Sequence, residues 1–345
     1  MATDENNYPK VAIIILHWNN WEDTIECLES LYQINYPNYE VIVVDNGSTD
    51  DSVKKIKEYA EGKRRAKSKF FEYNSDTKPL SYSEYGRKVL KEKSLDRKKE
   101  KDIVIIRNEK NLGFSRGNNV GIKFALKFSN PDYVLLLNDD MIVRNDFLNS
   151  PILLLEKYSE IGIATGRIHY YSEPSQIWAA GGQINLLLGN TGGISSIREE
   201  TKFKEVDYAP GAMMLIRKSI FQKIGLLPKR YFAGGGESEF SIKARKIGYK
   251  VICDPNSVAY HKVGITSGQS TAFRYCYWRT RLALLEENLP KVIWKFWLPI
   301  FLIIASARIF KEGENLKILN HALKDFKEKN LIEEEDLIKA EKVLN

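Results

Sequence analysis

Four short apolar runs punctuate the first 140 residues, and each gives way to a polar turn. Lys10–Leu16, Glu40–Val44, Ile103–Ile106 and Tyr133–Leu137 are continuous in Val, Ile and Leu rather than alternating. That pattern suits strands covered on both faces, as in a parallel α/β sheet. Helix-spaced segments lie between them. Asn20 is placed to cap a helix over 21–32, with Asp23 in its first turn and Ile25, Leu28 and Leu31 on one face. Thr49 or Asp50 is placed to cap a second helix that turns Val53 and Ile56 inward, and a third runs from the 111–119 turn to about Phe128. Strand–helix alternation of this kind predicts an α/β, doubly wound, mostly parallel sheet with right-handed crossovers.

Residues 61–102 break the rhythm. They are highly charged, poor in apolar periodicity, and read as an insertion that is partly helical near Glu84–Leu95. From Ile161 onward the pattern loosens into shorter strands and Gly-rich turns, predicting a mixed half packed on the parallel half; residues 266–345 read mostly as helix. The expected organisation is therefore a domain over 1–265 and a helical region over 266–345.

Composition changes this picture in three places. The net charge is +7, but residues 54–101 hold 17 Lys+Arg against 8 Asp+Glu, so the basicity belongs to the insertion. A membrane surface, a phosphorylated lipid or nucleic acid could meet such a patch, as could plain solvent. Cys27, Cys253 and Cys276 fit neither a zinc motif nor a disulfide framework, which points to a reducing compartment. The start, Met-Ala-Thr-Asp-Glu, does not read as a signal peptide, and Asn46-Gly-Ser is an accidental match to a glycosylation acceptor. Val292–Phe310 is strongly apolar but interrupted by Lys295, Pro299 and Arg308. With Trp294 and Trp297 it reads first as a segment lying in a membrane interface, with a buried helix and a true span as the other options.

The candidate chemistry sits at strand ends. Tyr133–Leu137 ends abruptly in Asn138-Asp139-Asp140, where open α/β sheets bind ligands and where hard oxygen donors suit Mg²⁺ or Mn²⁺. An ordinary acidic turn is the alternative. Asp45 follows a strand and precedes an Asn-Gly turn, so it could bind a ribose or base, or cap its own turn. Gly113 and Gly117 permit close backbone approach without forming a phosphate-binding motif. Phe232-Ala-Gly-Gly-Gly-Glu-Ser-Glu-Phe240 pairs a flexible loop with two carboxylates. Glu237 or Glu239 could serve as a general base, or either could simply stabilise the start of a helix over 239–247. His261 follows a strand and could complete a metal shell or be structural.

These segments, in order, resemble glycosyltransferase family 2, the inverting nucleotide-sugar enzymes of the GT-A fold, and within it the rhamnosyltransferase-like members. The matching pieces are Ile14–Asn19, Val43–Asp50, Asn111–Asn119, Leu136–Asp140, Ala209–Met214 and Gly236–Phe240, closed by Lys246–Lys250 and Tyr260-His261. The resemblance implies a Rossmann-like nucleotide-binding half, a mixed acceptor half and a divalent cation, Mn²⁺ or Mg²⁺. It implies that Leu16, Trp18, Asn19, Asp45, Gly113, Asn118, Asn138 and Asp139 contact the donor. Asp140, His261 and Asn138 fall on metal positions, with Asn138 departing from the family's first aspartate. Counting back from Gly248, Glu237 falls on the base, where the family has aspartate; Glu239 is the alternative base. The partners implied are a UDP- or dTDP-sugar and a glycan or lipid-linked acceptor, with no nucleic acid; the cationic insertion and the apolar segment near the C-terminus suggest that the acceptor lies at the cytoplasmic face of the membrane. A processive synthase's Gln-x-x-Arg-Trp motif is absent, although Trp278-Arg279 occupies a comparable place, so single-sugar transfer is expected. A catalytically impaired binder of the same fold is the competing reading, motivated by Asn138 and Glu237.

Overall fold

The structure, a computed structural model, describes residues 8–95, 103–198, 201–263, 270–312, 315–328 and 331–344. The end of the expected insertion, 96–102, lies outside the described residues.

The first half runs β1 (Val11–His17), α1 (Trp21–Leu31), β2 (Tyr39–Asp45), α2 (Ser52–Ala60), β3 (Tyr82–Gly86), β4 (Ile103–Arg107), α3 (Gly113–Phe124) and β5 (Tyr133–Asn138). The second half runs β6 (Met141–Val143), α4 (Asn149–Lys157), β7 (Ile161–Tyr170), β8 (Ile177–Ala179), β9 (Gly182–Asn185), β10 (Asn190–Gly193), β11 (Lys204–Glu205), β12 (Met213–Arg217), α5 (Lys218–Ile224), α6 (Gly236–Lys246) and β13 (Lys250–His261). Four helices follow: α7 (Thr271–Asn288), α8 (Lys291–Lys311), α9 (Lys317–Glu328) and α10 (Glu334–Leu344). The main sheet has the order β11-β13-β7-β12-β5-β1-β2-β4-β3. The strands β5, β1, β2, β4 and β3 are parallel, whereas β12 runs antiparallel to both β5 and β7.

Period-2 alternation divides the core between the two faces of this sheet. Ile13, Ile15, Val43 and Leu135 pack with Ile25, Leu28, Ile56 and Leu155 on one side. Ile14, Ile42, Val44 and Leu136 pack with Val120, Phe124 and Phe240 on the other. Because both faces are apolar, the strand interiors do not by themselves pin the register. The polar residues at the strand ends mark it: His17 lies opposite Asp45, and Leu16 opposite Asn138. One edge of the sheet therefore gathers the ends of β1, β2 and β5.

Three local expectations are corrected. The helical part of the insertion near Glu84–Leu95 is confined to a single 3₁₀ stretch over Arg87–Lys91, and Tyr82–Gly86 before it is instead an edge strand parallel to β4. A buried ion pair, Lys78 Nζ to Glu29 Oε2 at 2.9 Å, is one of the insertion's links to the body. Asn20 precedes α1 but adopts a left-handed conformation, and its side chain donates to Asp23 rather than capping the helix. Asp50 does accept a bond from Ser52 N at the start of α2. In the second half, β7 and β13 are long, at 10 and 12 residues, rather than short.

The C-terminal helices build a third apolar cluster around Trp278, Leu282, Phe301, Ile309, Leu319 and Ala322. It is tied to the first half where the Arg116 guanidinium donates to Ile332 O at 2.7 Å and pairs with Glu333. Helix α8 runs unbroken through Pro299 and is long and apolar enough to cross a membrane.

Candidate active site

The short strand β6 determines what stands beside the Asn138-Asp139-Asp140 turn. It pairs antiparallel with the end of β13, setting Met141 opposite His261. The imidazole Nε2 of His261 thereby stands 3.1 Å from Asp140 Oδ1, and the two residues come from positions 121 apart in the chain. Asp140 Oδ1 is buried and makes no other contact of hydrogen-bonding kind. Trp178 from β8 meets the His261 ring edge-on, with centroids 4.4 Å apart, and limits its rotation.

A cavity of about 760 Å³ opens in front of this pair. Asn138, Asp140, Trp178, Tyr208, Glu237 and His261 line it, with Phe114, Thr191 and Phe273. Glu237 stands in the first turn of α6. Its Oε1 accepts a bond from Gly235 N at 3.2 Å, and its Oε2 is buried without a partner. Burial pushes this carboxyl above the usual carboxylate range, although the backbone N–H groups at the helix start offset part of the effect. Burial, with the nearby Glu237 charge adding to it, pushes the Tyr208 phenol up to about 12.

The alternative base is engaged elsewhere. Glu239 is 1% exposed and accepts from Arg230 Nη2 at 2.6 Å, Tyr231 Oη at 2.6 Å and Lys243 Nζ at 2.7 Å. Burial alone would raise its carboxyl, but these donors outweigh it and hold the group below the ordinary range. Replacing Glu239 by Ala is expected to destabilise the fold by about 2–3 kcal/mol in urea unfolding, less than for a fully buried network because Arg230 and Lys243 reach solvent. An unchanged unfolding midpoint would contradict this structural role. The same bonds confer stability that is complete above the ordinary carboxylate range and is lost as pH falls through the lowered value.

Several expected donor contacts turn out to serve the scaffold. Alternation along the strand sends Asp139 to the opposite face from Asn138 and Asp140. Its Oδ2 meets His17 Nδ1 at 3.1 Å and Thr24 Oγ1 at 3.4 Å, so it braces the turn from behind and does not line the cavity. Asn118 is 1% exposed and donates to Phe114 O in its own helix. Asn19 ties two loops together: its N–H donates to Ser48 Oγ at 2.9 Å, and its Oδ1 accepts from Thr49 N at 3.0 Å. Leu16 packs against Gly117, whose added Cβ would lie 2.5 Å from Leu16 Cδ1. Trp18 stands out in the same loop, 48% exposed.

Asp45 is 1% exposed; it caps its own turn through Ser48 N at 3.0 Å, and Arg107 Nε lies 3.5 Å from its other oxygen. Beside it a second cavity of about 740 Å³ is lined by Ser48, Asp50, Lys54, Tyr82 and Arg107. Gly113 has φ +74°, and a Cβ there would meet Phe232 O at 2.5 Å, so only glycine lets the 111–119 turn touch the loop that leads to Glu237.

Sequence reasoning passed over Asn46, Arg107, Trp178 and Tyr208. Asn46 organises the turn by donating to Asn111 Oδ1 and accepting from Asn108 Nδ2 and Leu112 N. Arg107 had one available signal: as a cation closing an apolar strand, it falls in register with Asp45. Trp178 and Tyr208 carry no local signal. A larger cavity, about 990 Å³, lies at the opposite ends of β1 and β5, where Asp132 accepts from Lys10 N and Glu156 is bonded by Tyr133. Those carboxylates already have partners, so the convergent chemistry is at the Asp140 side.

The family model described as Glycosyl transferase family 2 matches residues 12–78 and 83–225. The chain belongs to this family. The match covers the Asp45 and Asn138–Asp140 turns but ends before Glu237 and His261. A curated relative, the low-salt glycan biosynthesis hexosyltransferase Agl10 of Haloferax volcanii, is 30% identical over 151 residues, 42% of this chain and 47% of that protein. The chain thus matches about half the length of that relative. Among solved structures, GalNAc-T7 with UDP, GalNAc and Mn²⁺ is similar at a TM-score of 0.57 and 16% identity, covering 79% of this chain and 48% of that one. The mannosyltransferase PcManGT of Pyrobaculum calidifontis, in complex with GDP-Man and Mn²⁺, is similar at 0.52 and 15% identity, covering 98% and 88%. These likenesses establish the GT-A fold.

Whether the site suits a divalent cation is decided by its donors. A carboxylate oxygen without a hydrogen-bonding partner and an imidazole nitrogen, 3.1 Å apart in a cavity wall, form a donor pair that fits Mn²⁺. Among the described residues no group of three His, Cys, Asp or Glu gathers. Such an ion would therefore draw its remaining ligands from water and phosphate, as ions bound with nucleotides commonly do.

Proposed function

We propose that the protein transfers a single hexosyl or rhamnosyl unit, with inversion, from a UDP- or dTDP-sugar to a hydroxyl of a glycan or lipid-linked saccharide. One observation carries this reading: Asp140, His261 and Glu237 face one cavity. Asp140 and His261, with Asn138 beside them, would hold Mn²⁺ or Mg²⁺, whose positive charge offsets that of the leaving nucleoside diphosphate. Asp45 and Arg107 would receive the nucleoside.

The chain's own part in the reaction is proton removal and orientation. The acceptor oxygen attacks the anomeric carbon on the face opposite the diphosphate. As that bond forms, the bond to the diphosphate oxygen breaks and its electron pair leaves with the diphosphate. The hydroxyl proton passes to Glu237 Oε2, which is buried and has no competing hydrogen bond. The bond to Gly235 N holds the other oxygen and so fixes the carboxylate plane. Glu237 is competent only when ionised. The acidic limb of the rate profile should therefore fall above the ordinary glutamate value of about 4.3, because burial raises this carboxyl. A limb at or below that value would contradict the assignment.

The chain's place is the cytoplasmic face of a membrane, a reading supported by the exposed apolar face of α8. Transfer is tested by incubating the full chain with UDP-, dTDP- and GDP-sugars and Mn²⁺ and following release of nucleoside diphosphate. Release from one donor class, abolished by EDTA, supports the reading; no release from any donor leaves the chain a binder.

A further inference from the structure

Helix α8 leaves one whole side without a protein partner. Val292, Phe296, Ile300, Ile303, Ala307 and Phe310 follow each other at spacings of three and four, and so form one stripe. Phe296 is 72% exposed, Ile303 71% and Phe310 82%. The opposite stripe, Phe301, Ala305 and Ile309, is buried in the cluster of Trp278, Leu282, Leu319 and Ala322. Lys291, Lys295 and Lys311 flank the helix ends, Arg308 being held by Glu312 and Tyr277, and the segment contains no Asp or Glu. Crossing a bilayer would pull the inner stripe out of that cluster. Lying in the plane of one covers the outer stripe, leaves the inner one in place and brings the terminal cations to anionic headgroups.

The same helix grips a wall of the cavity. The Trp297 indole N–H donates to Leu187 O at 2.6 Å, at the tip of the β9–β10 hairpin. Helix α7 holds the same tip from its own side: Arg281 Nε donates to Leu188 O at 3.2 Å, and a Cβ on Gly189 would lie 2.8 Å from Leu285 Cγ. Leu187 itself is 57% exposed beside the Trp297 contact. Strand β10 then carries Thr191 and Gly193 into the cavity that Glu237 lines.

We propose that α8 and the hairpin tip form one surface for an anionic bilayer, and that docking there fixes the β10 wall against an acceptor carried on a lipid of the same leaflet. The acceptor clause rests on the transferase reading above; the docking clause does not. Trp297 is a positioning residue in this account.

The test uses the full chain with vesicles of phosphatidylcholine, with and without phosphatidylglycerol, in flotation and in hydrogen exchange of the 182–193 amides. The wild type should float with the anionic vesicles, and exchange over 182–193 should slow several-fold. The double substitution F296E/I303E, on exposed positions that leave the fold intact, should weaken partitioning about 100-fold or more. Trp297→Phe should still float but lose the exchange response. Glu237→Gln should keep both responses, so a failed transferase reading is distinguishable from a failed docking surface. A wild type that stays with the unfloated protein, or a double variant that floats equally well, overturns the proposal. So does a wild-type dimer that F296E/I303E converts to monomer without any vesicle binding, since a second copy then covers the stripe. An unaltered exchange response in Trp297→Phe overturns the coupling.

Discussion

Glu237→Gln is expected to lower sugar transfer about 10²–10⁴-fold, the range over which a positioned general base contributes. The amide has nearly the same shape as the carboxylate and can keep the bond from Gly235 N, so the α6 entry turn should persist. What it loses is a basic oxygen at the Oε2 position, which faces the cavity with no other group competing for it. Glu239 cannot substitute, because its oxygens are occupied by Arg230, Tyr231 and Lys243. Affinity for the nucleoside diphosphate should change less than threefold, since the donor's phosphates are assigned to the Asp140–His261 wall. Single-turnover transfer measured beside calorimetry of nucleotide binding separates the two effects. A Gln variant with full activity would place the base elsewhere.

The second large effect is expected at Asp140. Replacement by Ala removes the one carboxylate that faces His261, and should weaken Mn²⁺-supported donor binding about 100-fold or more, as charge stabilisation by a bound ion is worth several kcal/mol. The turn itself should survive, because its bond from Lys262 N to Asp140 O is made by backbone and its rear brace is Asp139 with His17. The variant's melting temperature should therefore stay within a few degrees of the wild type. Calorimetry in Mn²⁺ and in EDTA should show a large gap between the two proteins in the first condition and none in the second. Equal affinities in Mn²⁺ would remove Asp140 from the cation site.

The strands that form the sheet's centre were legible because burial on both faces demands unbroken apolar runs, and Val11–His17, Tyr39–Asp45 and Tyr133–Asn138 supply them. The edge strand Tyr82–Gly86 was not, because its Ser and Glu reflect partial solvent contact and its neighbours are charged. The turn at 138–140 illustrates a finer limit. Composition marks all three residues as polar donors, yet the strand's alternation puts Asp139 behind the site and Asp140 in it. Glu237 and Glu239 pose the same problem on a helix. Two residues apart, they diverge by about 200° around the axis, and only the packing of Arg230 and Tyr231 decides which carboxylate faces the cavity. The pairing of β6 with β13, which brings His261 to Asp140, joins two segments whose proximity no local pattern encodes.

The proposed reaction requires that a sugar donor's diphosphate be held through a divalent ion at Asp140 and His261. The melting temperature of the wild type and of His261→Ala, each with a panel of UDP-, dTDP- and GDP-sugars in Mn²⁺ or in EDTA, tests this directly. Saturating donor should stabilise the wild type by roughly 2–3 kcal/mol at about 100 times its dissociation constant, a shift of several degrees, in Mn²⁺ alone, and the shift should vanish in His261→Ala. A donor-induced shift of equal size in EDTA, or one that persists undiminished in the variant, would contradict it.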